Sequence, residues 1–469
     1  MGYLMYFASV RTGKCFVEWV TFLALVVLPA SLPLQCQAVS KAASTPGCSV
    51  QATNYLGWTA EELANPWVKL EVVPQIGGRL IQVTFGGHDF LYVNPQLKGQ
   101  VIPLESKGNG EHNYGGDKIW PLPEGEQDEQ HWSGGGNLDG GPFTLEVLSR
   151  GPRCAVRLTG PVNPEIGQRY IRDISIGADT PVISFHVVMQ NMSGYPQTWS
   201  EQTITEYPTS NPAGSDHFNT KFWGVTAVNP TSAYLNGYYV RTGPSENPAF
   251  SVSDGTLRVH WNDIVQEVWI DSPPGWLAAV DGMTGYTMVE RHHVDPTAEY
   301  PSKATIIFYS SGEPARQNEH TEPREGPFME AEVNSPMVEL APGESYAMDT
   351  QWFPTRMGED FKTTTYSGVI GTPLTATATP AGLVLSGSFG VFYAGDLVAH
   401  FYGRGGGGTA KLMSVTPIEP VQLQTTLQAP PNTTRVSVHL VDSSGLDRGP
   451  LGEVLVNPPP ARDVRTPMQ

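Results

Sequence analysis

The chain has 469 residues, of which 39% are hydrophobic, 10% aromatic and only 16% charged. Length suggests two to four domains at roughly 100–200 residues each, and this much apolar and aromatic material excludes wholesale disorder. Lys plus Arg number 28 against 46 Asp plus Glu, a formal charge of −18 with no basic block, so nucleic acid and anionic membranes are excluded as natural partners, since both demand a cationic footprint.

In chain order, the first element is an address. Arg11 and Lys14 precede an apolar run from Trp19 to Leu28, stopped by Pro29, and Cys36-Gln37-Ala38 offers small residues where a signal peptidase cuts. The run is too short to cross a ~30 Å hydrocarbon core, and no second run of spanning length follows. Residues 1–38 therefore read as a cleavable export signal, and the mature chain is expected to be soluble and periplasmic or extracellular. A lipoprotein reading is weaker because Gln35 before Cys36 is large. Cys48 and Cys154 survive cleavage, and in an oxidising compartment they either form a disulfide or stay free. Residues 39–54 are small and polar, a linker.

From Trp67 onward the pattern is β. Val68, Leu70 and Val72 alternate with Lys69 and Glu71, a half-buried strand ended by Pro74. Leu80–Phe85 runs into Gly86-Gly87, a hairpin signal. Further strands are expected over 144–148, 155–159, 170–176, 182–190, 199–205, 257–261, 264–270, 276–280, 286–290, 305–309, 328–333 and 345–352. The 50 Gly and 41 Pro punctuate them as turns, so residues 55–357 read as one large antiparallel β domain. After Arg356 the texture changes. Short apolar runs at 383–385, 391–393, 397–402, 421–426, 435–440 and 453–456 fit a small Ig-like β-sandwich over 365–458. Within it Gly405–Gly408 reads as a loop, and residues 459–469 as a disordered tail. The fold class is all-β.

Chemistry concentrates in four places. Glu111-His-Asn-Tyr-Gly-Gly-Asp-Lys-Ile-Trp-Pro-Leu-Pro-Glu124 gathers an imidazole (His112), an amide (Asn113), a carboxylate (Asp117), an ammonium (Lys118) and an indole (Trp120) in what reads as a polar loop. That mixture suits a neutral polyol, with directional hydrogen bonds to hydroxyls and a flat aromatic face for the C–H side of a sugar ring. The bland alternative is an internal Asp117–Lys118 pair with Trp120 in the core. In Phe328–Val333, Glu330 and Glu332 share one face of a strand, where paired carboxylates push one pKa up and leave the other as a general base; a solvated edge is the alternative. His292 and His293 point opposite ways on a strand and cannot both hold a metal, although one of them could donate a proton. His112 and His131 also lack ligand spacing, and no metal or cofactor is implied. Mid-strand Glu201 and Gln202 must place one polar group inward, either as hydrogen-bonded structure or as the lining of a cavity. The acidic run 124–129 reads as solvated.

The Ile76-Gly-Gly-Arg-Leu-Ile81 hairpin, the Asn113-Tyr-Gly-Gly-Asp-Lys-Ile-Trp-Pro121 segment, the Asn191…Pro196…Trp199 strand pair and Met329-Glu330 with Leu340-Ala-Pro-Gly-Glu-Ser345 and Trp352 together resemble the galactose mutarotase-like (aldose 1-epimerase) superfamily. More narrowly, they resemble its exported branch with an N-[YW]-G-G-D-K-x-W-P segment, over roughly residues 55–357. The resemblance implies a β super-sandwich with a sugar-sized cleft and an isomerase that opens and recloses the ring. A carboxylate takes the anomeric proton and a histidine protonates the ring oxygen. Glu330 stands where that carboxylate is expected. The epimerases' Asn-His-x-Tyr-Phe-Asn segment is replaced by Trp199-Ser-Glu-Gln-Thr-Ile204, so the acid falls to Glu201, His112, His292 or His293. Arg79, Asn113, Asp117, Lys118, Trp120, Gln202 and Glu332 are expected to hold the sugar. The rival readings are a non-catalytic glycan-binding protein, a glycoside hydrolase or lyase using Glu201 with Glu330, and an envelope structural protein.

Overall fold

The computed structural model describes residues 47–104, 112–124, 132, 134–211, 218–312, 326–404 and 407–456. The export signal, the first half of the linker, the acidic run after Glu124, His131, Gly405 and the C-terminal tail lie outside the described residues.

The first described strands correct the linker reading. Ser49–Tyr55 and Trp58–Ala64 form a hairpin whose register runs from Ser49 opposite Ala64 to Tyr55 opposite Trp58. Its turn puts Leu56 and Gly57 at positive φ, and a Cβ on Gly57 would lie 2.8 Å from the Gly99 backbone. The Cys48–Cys154 disulfide ties this edge to the other large sheet, with the Cα atoms 5.8 Å apart.

The hairpin opens a twelve-stranded sheet. Across its centre lie Arg79–Phe85, Asp117–Leu122, Gln197–Pro208, Phe328–Asn334, Ile306–Ser310, Gln266–Ile270 and Tyr239–Thr242, in that spatial order. A second sheet of ten strands runs from Phe250–Ser253 to Thr144–Ser149 and includes Gln168–Gly177, Tyr286–His292 and Ser345–Arg356. The two sheets face each other across one apolar core. Met329, Ala331, Val333, Phe308 and Val268 enter it from the first sheet, and Ile174, Val187, Leu277, Met288 and Trp352 from the second. Strict period-2 alternation explains why these residues, and not their neighbours, point inward.

One sequence reading is corrected at the sheet's centre. The stretch read as a polar loop becomes the strand Asp117–Leu122, paired along its length with Gln197–Pro208. It meets Arg79–Phe85 only at Leu80 opposite Asp117, so its distal half is an edge, a setting in which Pro121 is tolerated.

Residues 363–455 build two further four-stranded sheets around their own core of Leu385, Phe389, Leu397, Val436, Val438 and Leu440. They join the large sandwich through Phe361, Val369 and Phe392, which pack on Trp223, Trp276 and Phe353 on the outer side of the ten-stranded sheet. That part of the outer face is apolar and covered, whereas the strand pair Ile183–Asn191 and Ser345–Arg356 carries the exposed His186 and Asp349 on the same face. The outer face of the twelve-stranded sheet is not apolar.

Candidate functional site

The alternation that sends Met329, Ala331 and Val333 inward sends Glu330 and Glu332 outward. Register then lines up their neighbours. One rung reads Lys118, Ile204, Glu332, Ile307, Trp269, Tyr239, and the adjacent rung reads Glu206, Glu330, Tyr309, Glu267. Trp120 and Gln202 stand opposite each other in a third.

Lys118 is the hub. Its Nζ lies 3.2 Å from Glu206 Oε1, 3.4 Å from Glu330 Oε1 and 4.1 Å from the centre of the Trp120 ring. Lys118 and Glu206 are buried, whereas the Glu330 side chain keeps 14% of its surface open. A desolvated ammonium over an indole is worth about 2 kcal/mol, and the two flanking carboxylates keep the cation balanced. Glu332 lies deeper, with Gln202 Nε2 donating to its Oε2. Burial pushes its carboxyl well above the usual range, and the negative charges of Glu330 and Glu267 add to that. The strand thus presents one carboxyl pushed upward by burial and, two residues away, one carboxylate held in an ion pair.

Trp120 is locked from behind. Its Nε1 donates to Asp139 Oδ1 at 3.1 Å, and the same oxygen takes Arg79 at 2.6 Å. Trp132 packs edge-on at 5.1 Å between ring centres. Beyond Leu122 the face opens into a cavity of about 290 Å³ lined by Leu122, Glu124, Tyr239, Arg241, Trp269 and Ser302. That is near the lower limit of the ~300–1,000 Å³ typical of small-molecule sites, a single-ring volume. Trp269 is itself held, donating to Glu267 and lying 4.8 Å beneath the Arg241 guanidinium.

Lys118, Trp120, Gln202, Glu330 and Glu332 are therefore gathered on one face. The other predicted residues are not. Asn113 receives the Gly115 N–H at 2.9 Å and holds the turn into the strand. There Gly115 and Gly116 have φ of 88° and 83°, and a Cβ on Gly115 would fall 2.1 Å from the Tyr92 carbonyl. Arg79 supports Trp120 through Asp139 and also donates to the Gly115 carbonyl at 3.1 Å. Asp117 points into the sandwich, where it pairs with Arg172 of the second sheet.

The expected acids are corrected as well. Glu201 is fully buried on the core side of its strand, and burial pushes its carboxyl far upward despite the opposing charge of Arg172. His292 points to the core side of the second sheet, its pKa lowered to about 4 by burial. His293 is exposed just past the end of that strand. His112 lies 6.4 Å edge-on to Tyr114, outside the rungs just described. A Glu201–Glu330 hydrolase pair is ruled out by the same alternation, which puts the two on opposite faces of the sheet. The sequence reading missed Glu206, Glu267, Trp269, Tyr239 and Arg241. Glu206 was available from parity, four residues beyond Gln202 on one strand; the others come from strands remote in sequence.

No family model matches the chain, and neither does any curated protein. Solved structures similar to it include a TPR-domain containing protein from Parabacteroides distasonis, with 17% identity over 64% of this chain and 47% of that one and a TM-score of 0.45. The chain thus spans about half the length of that protein. It is also similar to galactose mutarotase-like proteins from Lactobacillus casei (9% identity, 62% of this chain and 99% of that one, TM-score 0.43) and Clostridium acetobutylicum (9%, 67% and 100%, TM-score 0.41).

Proposed function

We propose that the outer face of the twelve-stranded sheet binds a single sugar ring and catalyses its anomerisation, with Glu330 as base and Glu332 as acid. The observation that carries this reading is the pairing on one strand of a buried Glu332, its carboxyl pushed upward by burial, with a partly open Glu330 whose charge is balanced by Lys118. Two like groups pushed to different protonation states are what ring opening requires. The Glu330 carboxylate takes the proton of the anomeric hydroxyl, the bond from the anomeric carbon to the ring oxygen breaks, and Glu332 gives its proton to that oxygen. Reclosure on the other face of the carbonyl reverses both transfers, so atoms and charge balance. Trp120 and Trp269 offer aromatic surface, and Gln202 and Glu206 offer hydrogen-bonding groups.

The test is anomer exchange followed by polarimetry or one-dimensional NMR across a panel of neutral aldoses. Wild type should accelerate exchange and Glu330→Gln should not, while tryptophan fluorescence quenching by the same sugar persists. No acceleration with any aldose sinks the catalytic reading.

A second reading is favoured by one specific feature: Lys118 engages the proposed base, and none of the described His112, His292 and His293 stands on its rungs. Non-catalytic glycan binding would show quenching without exchange, and Glu330→Gln would then only dent affinity. For the cellular setting we propose export, supported by the N-terminal signal pattern and by the Cys48–Cys154 bond, which suits an oxidising compartment. Recovery of a chain starting at Val39 from the periplasm or medium is the expected outcome.

A further inference from the structure

The C-terminal sandwich carries a second cluster that owes nothing to the sugar site. Strands Gly395–Gly403 and Thr433–Asp442 pair antiparallel, with His400 opposite Ser437 and Val398 opposite His439. His400 and His439 are thus diagonal neighbours. Leu397, Ala399, Val438 and Leu440 fill the core, so the two imidazoles share the outer face. Their rings stack at 4.2 Å between centres. The next strand starts at Asp447, whose carboxylate oxygens lie 2.9 and 3.0 Å from His439 Nδ1.

One donor atom from each of the three residues lies within 4.8 Å of the others. We propose that His400, His439 and Asp447 bind a divalent cation of the zinc class, with water completing the shell. Two imidazoles and one carboxylate suit Zn²⁺ and its neighbours Ni²⁺ and Cu²⁺, and suit the oxygen-seeking Ca²⁺ and Mg²⁺ poorly. Zn–N bonds of ~2.0–2.1 Å place tetrahedral donors about 3.4 Å apart. Rotations of half-exposed side chains therefore suffice to close the site. The ion takes the place of the hydrogen bond between His439 Nδ1 and Asp447, and the neutral imidazole keeps its one ring proton on Nε2.

The Gly449 N–H donates to Asp447 Oδ1 at 2.8 Å and fixes that carboxylate beside His439. A pair of cross-strand histidines without the acid would be a weaker candidate. Here the third group is already on His439.

The experiment is calorimetric titration of the untagged full-length mature chain with Zn²⁺ near neutral pH. One ion per chain is expected. His400→Ala and His439→Ala should each weaken binding at least about tenfold, and His400→Gln should do the same, while His186→Ala, whose ring pairs with Asp349 on the ten-stranded sheet, should bind as wild type does. Metal-free melting curves of the variants should overlay that of wild type, because the replaced rings lie on the outer face. Absence of zinc uptake by wild type, or uptake unchanged in the His400 and His439 variants, overturns the assignment.

Discussion

The two faces of the strand Gln197–Pro208 carry similar chemistry to different ends. On its core side, Glu201 lies buried within the field of Arg172, and Thr205 and Tyr207 meet polar groups of both sheets. Thr205 Oγ1 donates to Asp117 Oδ2 or Glu290 Oε2, each at 3.2 Å, and the Tyr207 hydroxyl donates to Glu290 Oε1 at 2.6 Å. Arg172 reaches across to Asp117. On its outer side, Gln202 and Glu206 meet Glu332 and Lys118. Glu201 and Glu206 are both fully buried, so burial alone does not mark a site. The difference is access: the outer network includes the partly open Glu330 and borders a cavity, whereas the inner one is sealed between two sheets. Buried charge holds the sandwich together on one side, and on the other it shares its face with the cavity lined by Leu122, Tyr239 and Trp269.

The sharpest way to break this comparison is to neutralise one carboxylate on each face. Glu330→Gln should cut anomer exchange by roughly 10²–10⁴-fold with little change in stability, as loss of a general base does. Glu201→Gln should leave exchange intact, since that side chain lies on the core side of its strand, away from the outer face. Equal losses in both would erase the distinction between the faces. Next in size is Arg172→Met, which strands Asp117 without its cation. Breaking a buried pair costs about 3–5 kcal/mol, read as a lower urea midpoint, with sugar-induced quenching retained in the folded fraction.

Third is the edge tie. Reduction of Cys48–Cys154, or Cys48→Ser with Cys154→Ser, opens a closure spanning 106 residues and should cost about 2–4 kcal/mol in a thermal melt. Anomer exchange at low temperature should survive, because the bond lies outside the outer rungs. The most gradual effect is on pH. Burial raises the Glu290 carboxyl to about 8 in the folded chain, against 4.5 as its ordinary value. Across that window the folded chain holds a proton that the unfolded chain has released. The stability is therefore complete below the lower value and declines as pH rises through the higher one, by at most about 1.4 kcal/mol per pH unit. Glu201 and Glu332 are displaced in the same direction. The melting temperature should fall as pH rises from about 4.5 to about 8, and Glu290→Gln should flatten that fall.

Much of the scaffold was legible because alternation is local. Val68–Val73, Gln168–Gly177 and Phe328–Asn334 stand where their patterns predicted, and the shared face of Glu330 and Glu332 followed from parity alone. Asp117–Leu122 was misread because Gly115-Gly116 and Pro121 are ordinary loop signals, outweighed here by pairing with Gln197–Pro208. The edge strand Ser49–Tyr55 was missed because it is polar and stands only by its hairpin and its disulfide.

Composition and period-2 patterning, both properties of neighbouring residues, were sufficient to establish an all-β chain and to put two carboxylates side by side. They could not say which side of a strand would meet the second sheet. Choosing Glu206 over Glu201, setting Lys118 between Glu206 and Glu330, and bringing Trp269 and Arg241 to the same face all depended on pairings between strands far apart along the chain. A strand's parity is written within its own few residues, but its orientation is set by the partner that covers it.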